Sequence, residues 1–310
     1  VDLRGDPTLH LTDLGRFLLC QADPFMKLAT LVCWPFRALR VLSKPKRDGV
    51  SRPVPTDGRG VIRFHTFFTD SLFYREIRRM IGDQNLSQAE REEWMYILSE
   101  MVEIALNNQI TLDVGTDAFG VFEFFPKDVL HLDGLSAGDR FIRLSGLARI
   151  DSDADDTFML LEMFSDFLTM LESRALAKTN EEWRRSIVCS LNAILHLPYW
   201  KLVRAYQFRS NGDTVPRSNY TGVDSLGGIS TWFGHAPDDA PDLVVNVNVL
   251  RSLLVNQGRW KLFESIEALE VAQGIITFLH RNVESGLFRT SRGYSFYIAE
   301  FFCDTFAHLW

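Results

Sequence analysis

Four carboxylates fall within six residues, Asp151-Ser-Asp153-Ala-Asp155-Asp156, and Thr157 then leads straight into the apolar segment Phe158-Met-Leu-Leu. No other stretch constrains the chain as strongly. Like charges crowded against apolar sequence need compensation, from a metal ion, from a helix N-terminus, or from protons kept on the carboxyls. Each answer implies a different local structure.

Capping is the plainest of the three. Asp153, Asp155 or Asp156 can accept from the free N–H groups of a helix opening near Thr157, and a negative charge there suits the helix dipole. A cap accounts for one or two of these carboxylates but not for four. The second answer is a cation loop, because Asp151-x-Asp153-x-Asp155 with Glu162 at the twelfth position matches most ligand positions of a calcium-binding loop. Its sixth position, where the sharp turn requires Gly, is Asp156. The third answer is a shared proton: crowded carboxyls raise one another's proton affinity. On a helical wheel at about 100° per residue, Glu162 and Asp166 lie within roughly 20° of Asp155. Thr169 follows them. That polar stripe reads as a solvated face or a polar groove.

The surroundings read as mainly helical. Apolar residues recur at helical spacing over residues 11–19, 24–42 (kinked near Pro35), 64–81, 140–148, 156–175, 181–195, 243–255, 260–281 and 294–309. Ser87-Gln-Ala-Glu90 is a capping box that opens a further helix reaching about residue 107. Arg75, Arg78 and Arg79 stand toward the end of the 64–81 helix, where cations suit the dipole. Residues 108–140 are rich in Gly, Asp and Phe and read as a long loop with short strands, and 202–242 as a second irregular segment. Ten to twelve helices separated by long Gly- and aromatic-rich loops imply an all-α chain. The expected arrangement is an α/α toroid of inner and outer helices, one domain over 1–310, with 1–60 as an N-terminal helical extension and loop. An irregular all-α globule is the competing architecture.

Composition removes several function classes. The net charge of −7 leaves no general phosphate-binding surface, so no nucleic-acid partner is expected. Cys20, Cys33, Cys189 and Cys303 are far apart, with no CxxC pair, and read as buried free thiols of a reducing compartment. No secretory leader is recognisable, which leads us to expect a cytoplasmic chain. The Lys44-Pro-Lys46-Arg47 cluster leaves a peripheral membrane contact open. The 24 phenylalanines fit either an aromatic helical core or an aromatic cavity able to hold an apolar ligand or a cation. No phosphate loop or dinucleotide fingerprint is found.

Asp153-Ala-Asp155-Asp156-Thr157 resembles the DxDDT motif of the class II terpene cyclases and squalene-hopene cyclases. The resemblance implies a toroid of the prenyltransferase-like superfamily that cyclises or isomerises an isoprenoid after protonating an alkene or epoxide. It implies that Asp155 is the proton donor, that Asp153 and Asp156 tune it, and that no cofactor is needed, with magnesium or calcium the alternative. The tryptophan-bearing repeats of the squalene-hopene cyclases are reduced here to the fragment Gln257-Gly-Arg-Trp260. Asp238-Asp239-Ala-Pro-Asp242 has the bare DDxxD spacing but is not a convincing class I metal motif, so ionisation of a diphosphate is not supported.

Candidate substrate-binding residues come from the second irregular segment and its exit. They are Tyr220, Trp232, Phe233, His235 and Asn246. Asn246 and Asn248 sit among β-branched residues at an element entrance, where amides either satisfy buried backbone or meet a ligand. Tyr294 and Tyr297 are further aromatic candidates. Two other readings stay open: a carbohydrate-active toroid working through the acidic stripe, and a non-catalytic binding protein whose Asp cluster caps a helix or holds calcium.

Overall fold

The computed structural model describes residues 67–82, 86–123, 152–173, 181–209, 225–233, 241–290, 297 and 299–307. All of them belong to one compact unit, made of Thr66–Pro126 and Ile150–Trp310. The helices expected at 11–19, 24–42 and 140–148, the basic cluster at 44–47, and the candidate residues Asp151, Tyr220, His235 and Tyr294 lie outside the described residues.

The described part is mainly α-helical. Its elements in chain order are α1 (Phe67–Ile81), α2 (Gln88–Asn107), β1 (Ile110–Val114), β2 (Asp117–Val121), α3 (Ala154–Glu172), α4 (Glu181–Leu195), α5 (Trp200–Tyr206), α6 (Leu243–Val255), α7 (Ile266–Glu284), a short 3₁₀ turn (Leu287–Arg289) and α8 (Ala299–Ala307). Among the described residues no helix is long and apolar enough to cross a membrane.

Local chemistry explains most boundaries. Ser87 caps α2 in a complete capping box with Glu90. Asp153 caps α3, and Asp242 caps α6 by accepting from the Val244 N–H at 2.8 Å. β1 and β2 form a two-residue hairpin, with Gly115 supplying the positive φ of 62° that the turn requires. α5 was not anticipated by the spacing of apolar residues, because seven residues are too few to establish a period.

Packing is organised around α3, which is buried along nearly its whole length. It packs against α1, α2, α4 and α6. Side-chain contacts set the helix directions. Arg75 and Arg78 of α1 meet Glu162 and Asp166 of α3, in the same order. Asn248 and Arg251 of α6 meet Asp155 and Glu162, again in the same order. So α3 and α6 run parallel. α2, α4 and α7 pack beside α1, α3 and α6 respectively and keep one face in solvent.

Eight of the 24 phenylalanines are buried in this core. Phe158, Tyr199 and Trp260 meet edge-on or tilted, Phe119 joins Tyr199 at 5.3 Å, and Phe122 packs on Phe164 at 5.7 Å. The polar handles are satisfied internally, Tyr199 Oη donating to Gly120 O and Trp260 Nε1 to Leu195 O. The cysteines correct one expectation: Cys189 and Cys303 are free thiols but exposed, because each falls on the solvent side of its helix.

Candidate active site

The Asp motif is held between two extended segments. Asp153 N–H donates to Phe122 O, Ala154 N–H to Thr231 O, and Phe233 N–H to Ser152 O, so residues 152–154 bridge the exit of β2 and the 231–233 segment. Thr157 fastens the hairpin side by accepting from the Phe122 N–H at 3.1 Å. Trp232 thereby lies across from Asp153 in the backbone pairing. Phe233 is buried and stacks on Tyr206, with ring centroids 5.0 Å apart.

The loop's approach to α7 depends on glycine. Gly227 has φ 89°, and a Cβ there would lie 2.3 Å from Gly274 O. Gln207 locks the contact, donating through Nε2 to Gly227 O and Val271 O.

The helix that follows has a consequence for the cation reading. A calcium loop needs residues 151–162 to wrap an ion, whereas α3 is already regular from Ala154. Among the described residues, no group of three or more His, Cys, Asp and Glu side chains converges as a metal-ligand set.

The three described carboxyls of the motif are 4%, 3% and 1% exposed for Asp153, Asp155 and Asp156, yet their environments differ. Asp153 Oδ1 accepts from the Asp156 N–H at 2.7 Å, the cap. Burial above all, then the Asp155 charge, pushes Asp153 up to about 8, against the pull of its hydrogen bonds at Asp155 and Asp156. Neither oxygen of Asp156 has a hydrogen-bond donor among the described residues while that carboxyl is ionised. Protonated, it can donate to the neighbouring Asp153. Burial first, then the charges of Asp153 and Asp155, hold its proton well above the usual carboxylate range.

Asp155 is the carboxyl with partners. Asn248 Nδ2 donates to its Oδ1 at 2.6 Å, and the Tyr297 hydroxyl donates to its Oδ2. Burial raises its pKa, while the bonds from Tyr297 and Asn248 and the Arg75 charge pull the other way. Tyr297 is itself held neutral by burial and by the Asp155 charge, so it remains a donor.

The inner part of the polar stripe expected from the wheel is not a solvated face, whereas Thr169 at its outer end is exposed. Glu162 is only 12% exposed and takes two guanidiniums, Arg75 at 3.0 Å and Arg251 at 2.9 Å. Asp166, at the outer end, accepts from Arg78 at 3.0 Å and from the Tyr74 hydroxyl at 2.8 Å. Two of the three basic residues assigned to the end of α1 thus answer the carboxylates of α3.

The structure brings together Asp153, Asp155, Asp156, Trp232 and Phe233. Asn246 takes a different place: its Oδ1 accepts from the Ile229 N–H and its Nδ2 donates to Ile229 O and Asp242 O, so the amide ties the loop to α6. Asn248 is the amide that reaches Asp155. Its spacing from Asn246, two residues or about 200° on a helix, was the available sign that only one of the two could face α3. Tyr297 gave no comparable sign, because nothing local ties it to a residue 142 positions earlier. Comparison of the chain with protein-family models, with curated proteins and with solved structures finds no match.

Proposed function

We propose that this chain is a protonation-initiated isoprenoid cyclase or isomerase, with Asp155 as the general acid. The observation that carries this reading is the environment of Asp155. A proton donor to an alkene must hold its proton at neutral pH and yet leave a stabilised base when the proton departs. Burial supplies the first property. The donors Asn248 and Tyr297 supply the second. Asp156 has burial without donors, so its proton is held but poorly released. Asp153 is engaged as a helix cap.

In the step itself, the Asp155 O–H bond breaks and a C–H bond forms at the less substituted alkene carbon. The positive charge appears on the more substituted carbon. A second double bond then supplies its electron pair to form a C–C bond, or a neighbouring C–H gives up a proton to restore an alkene. The proton gained at the start is lost at the end, so the reaction is a redox-neutral isomerisation.

The α/α toroid is part of the proposal. Its support is the packing of α3 between α1 and α6, with α2, α4 and α7 beside these three, each with a solvent face. The carbohydrate reading loses its second carboxyl, since Glu162 is neutralised by two arginines.

The test is product formation from linear prenyl diphosphates and squalene-type polyenes, followed by gas chromatography. Asp155→Asn should lower turnover by about a hundredfold to ten-thousandfold while the helical signal of the protein is retained. A folded Asp155→Asn protein with full turnover would remove Asp155 from the chemistry.

A further inference from the structure

Two turns along α3 from Asp155, the guanidiniums outnumber the carboxylates that pair with them among the described residues. Glu162 stands alone between Arg75 and Arg251, one arginine on each of its oxygens. Arg251 Nη1 is buried and has no hydrogen-bond partner among the described residues. Arg78 is not part of this imbalance, because Asp166 answers it directly. The cluster therefore carries one positive charge more than Glu162 compensates.

Asp155 is placed to feel that charge. It lies two turns from Glu162 on the same face of α3, about 10 Å along the axis. The same neighbouring helix, α6, touches both carboxyls, with Asn248 on Asp155 and Arg251 on Glu162. The other groups that bear on Asp155 are Tyr297, a neutral donor, and Asp153 and Asp156 on its own helix, of the opposite sign to the arginines. Asp155 thus sits between an acidic end and a cationic cluster.

We propose that Arg75, Glu162 and Arg251 are positioning residues for Asp155, their one uncompensated positive charge stabilising the carboxylate that proton transfer leaves behind and so setting the strength of the acid. This use of the cluster rests on the reading of Asp155 as general acid. The charge difference matters at the moment of reaction, because it favours the ionised product of the step over its neutral starting state.

The experiment titrates Asp155 in the full chain by difference infrared spectroscopy, with Asp155→Asn marking its carboxyl band. Arg75→Gln removes the excess charge and should raise the Asp155 pKa, weakening the acid about threefold to tenfold. Arg251→Gln should act in the same direction, and provides the measurement if Arg75→Gln does not fold. Glu162→Gln leaves both guanidiniums uncompensated and should strengthen the acid by a similar factor. Arg75→Lys keeps the charge and should titrate like the unmodified protein. In turnover, Arg75→Gln should lower kcat with KM unchanged.

Opposite signs for the arginine and glutamate variants are the expected result, since general loosening of the packing would move both the same way. Shifts of one sign, or none, in folded variants would overturn the proposal. Full turnover of Asp155→Asn overturns the general-acid reading instead, and leaves the titration shifts to decide whether the electrostatic coupling exists.

Discussion

The two halves of α3 carry the same kind of side chain and compensate it in opposite ways. At the buried beginning, Asp153, Asp155 and Asp156 meet amide and phenol donors, one another, and no arginine hydrogen bond among the described residues, so protons do the compensating. Farther along, Glu162 and Asp166 each have at least one guanidinium, and the arginines do the compensating. The deciding variable is reach. Arg75 and Arg78 of α1 and Arg251 of α6 arrive at the middle and outer turns of the helix, while the first turn is enclosed by the β2 exit, the 231–233 segment and Asn248. A carboxyl that keeps a proton can donate it to a substrate, whereas an ion-paired carboxylate mainly holds helices together.

The largest effect expected of a single substitution on stability breaks the ion-paired half. Glu162→Ala leaves two mostly buried guanidiniums facing each other, and should cost about 3 kcal/mol of unfolding free energy, read from denaturant melts. A loss under about 0.5 kcal/mol would mean that the pair is no more than a surface contact.

The next effect sharpens the protonated half. Asp153 and Asp156 hold protons in the native state at pH values where the unfolded chain, with Asp near 3.9, has released them. The native state then binds more protons than the unfolded one, so stability is greatest in acid. It should fall as pH rises from about 4 toward about 8, by about 1.4 kcal/mol per pH unit for each proton retained. Asp156→Asn removes one of those protons and should flatten the slope of melting temperature against pH. An unchanged slope would place the retained proton elsewhere.

Asp153→Ala removes the cap of α3 and should cost about 1 kcal/mol, whereas Asp153→Asn should keep most of the cap. Equal losses would show that the carboxyl, and not the cap, is what α3 needs. Smallest is Asp166→Asn. With side chains 36% and 40% exposed for Asp166 and Arg78, that contact should be worth less than about 1 kcal/mol and should weaken in salt.

Legibility followed the range of the interactions. The capping box at Ser87, the span of α4 and the span of α6 were readable because each depends on neighbours within one or two turns. The hairpin of β1 and β2 was readable as short strands in a Gly- and Phe-rich loop, although its register was not. Within the site, Asp153, Asp155 and Asp156 stood out by their density, and Trp232 by its loop. Asn248 was visible only as one of two similar amides. Tyr297, Arg75 and Arg251 could not be identified as partners at all, because their contacts with α3 join residues 142, 87 and 89 positions apart.

By itself the sequence determined that the described part of this protein is helical, where most of its helices lie, and that one carboxyl-rich turn needs compensation. Hydrophobic period, caps and turn residues act over a few positions, and they suffice for that much. Only the tertiary structure decided which compensation each carboxyl receives. Two neighbouring helices bring arginines to one half of α3 and withhold them from the other, and that allocation depends on the packing of distant segments, which no local pattern encodes.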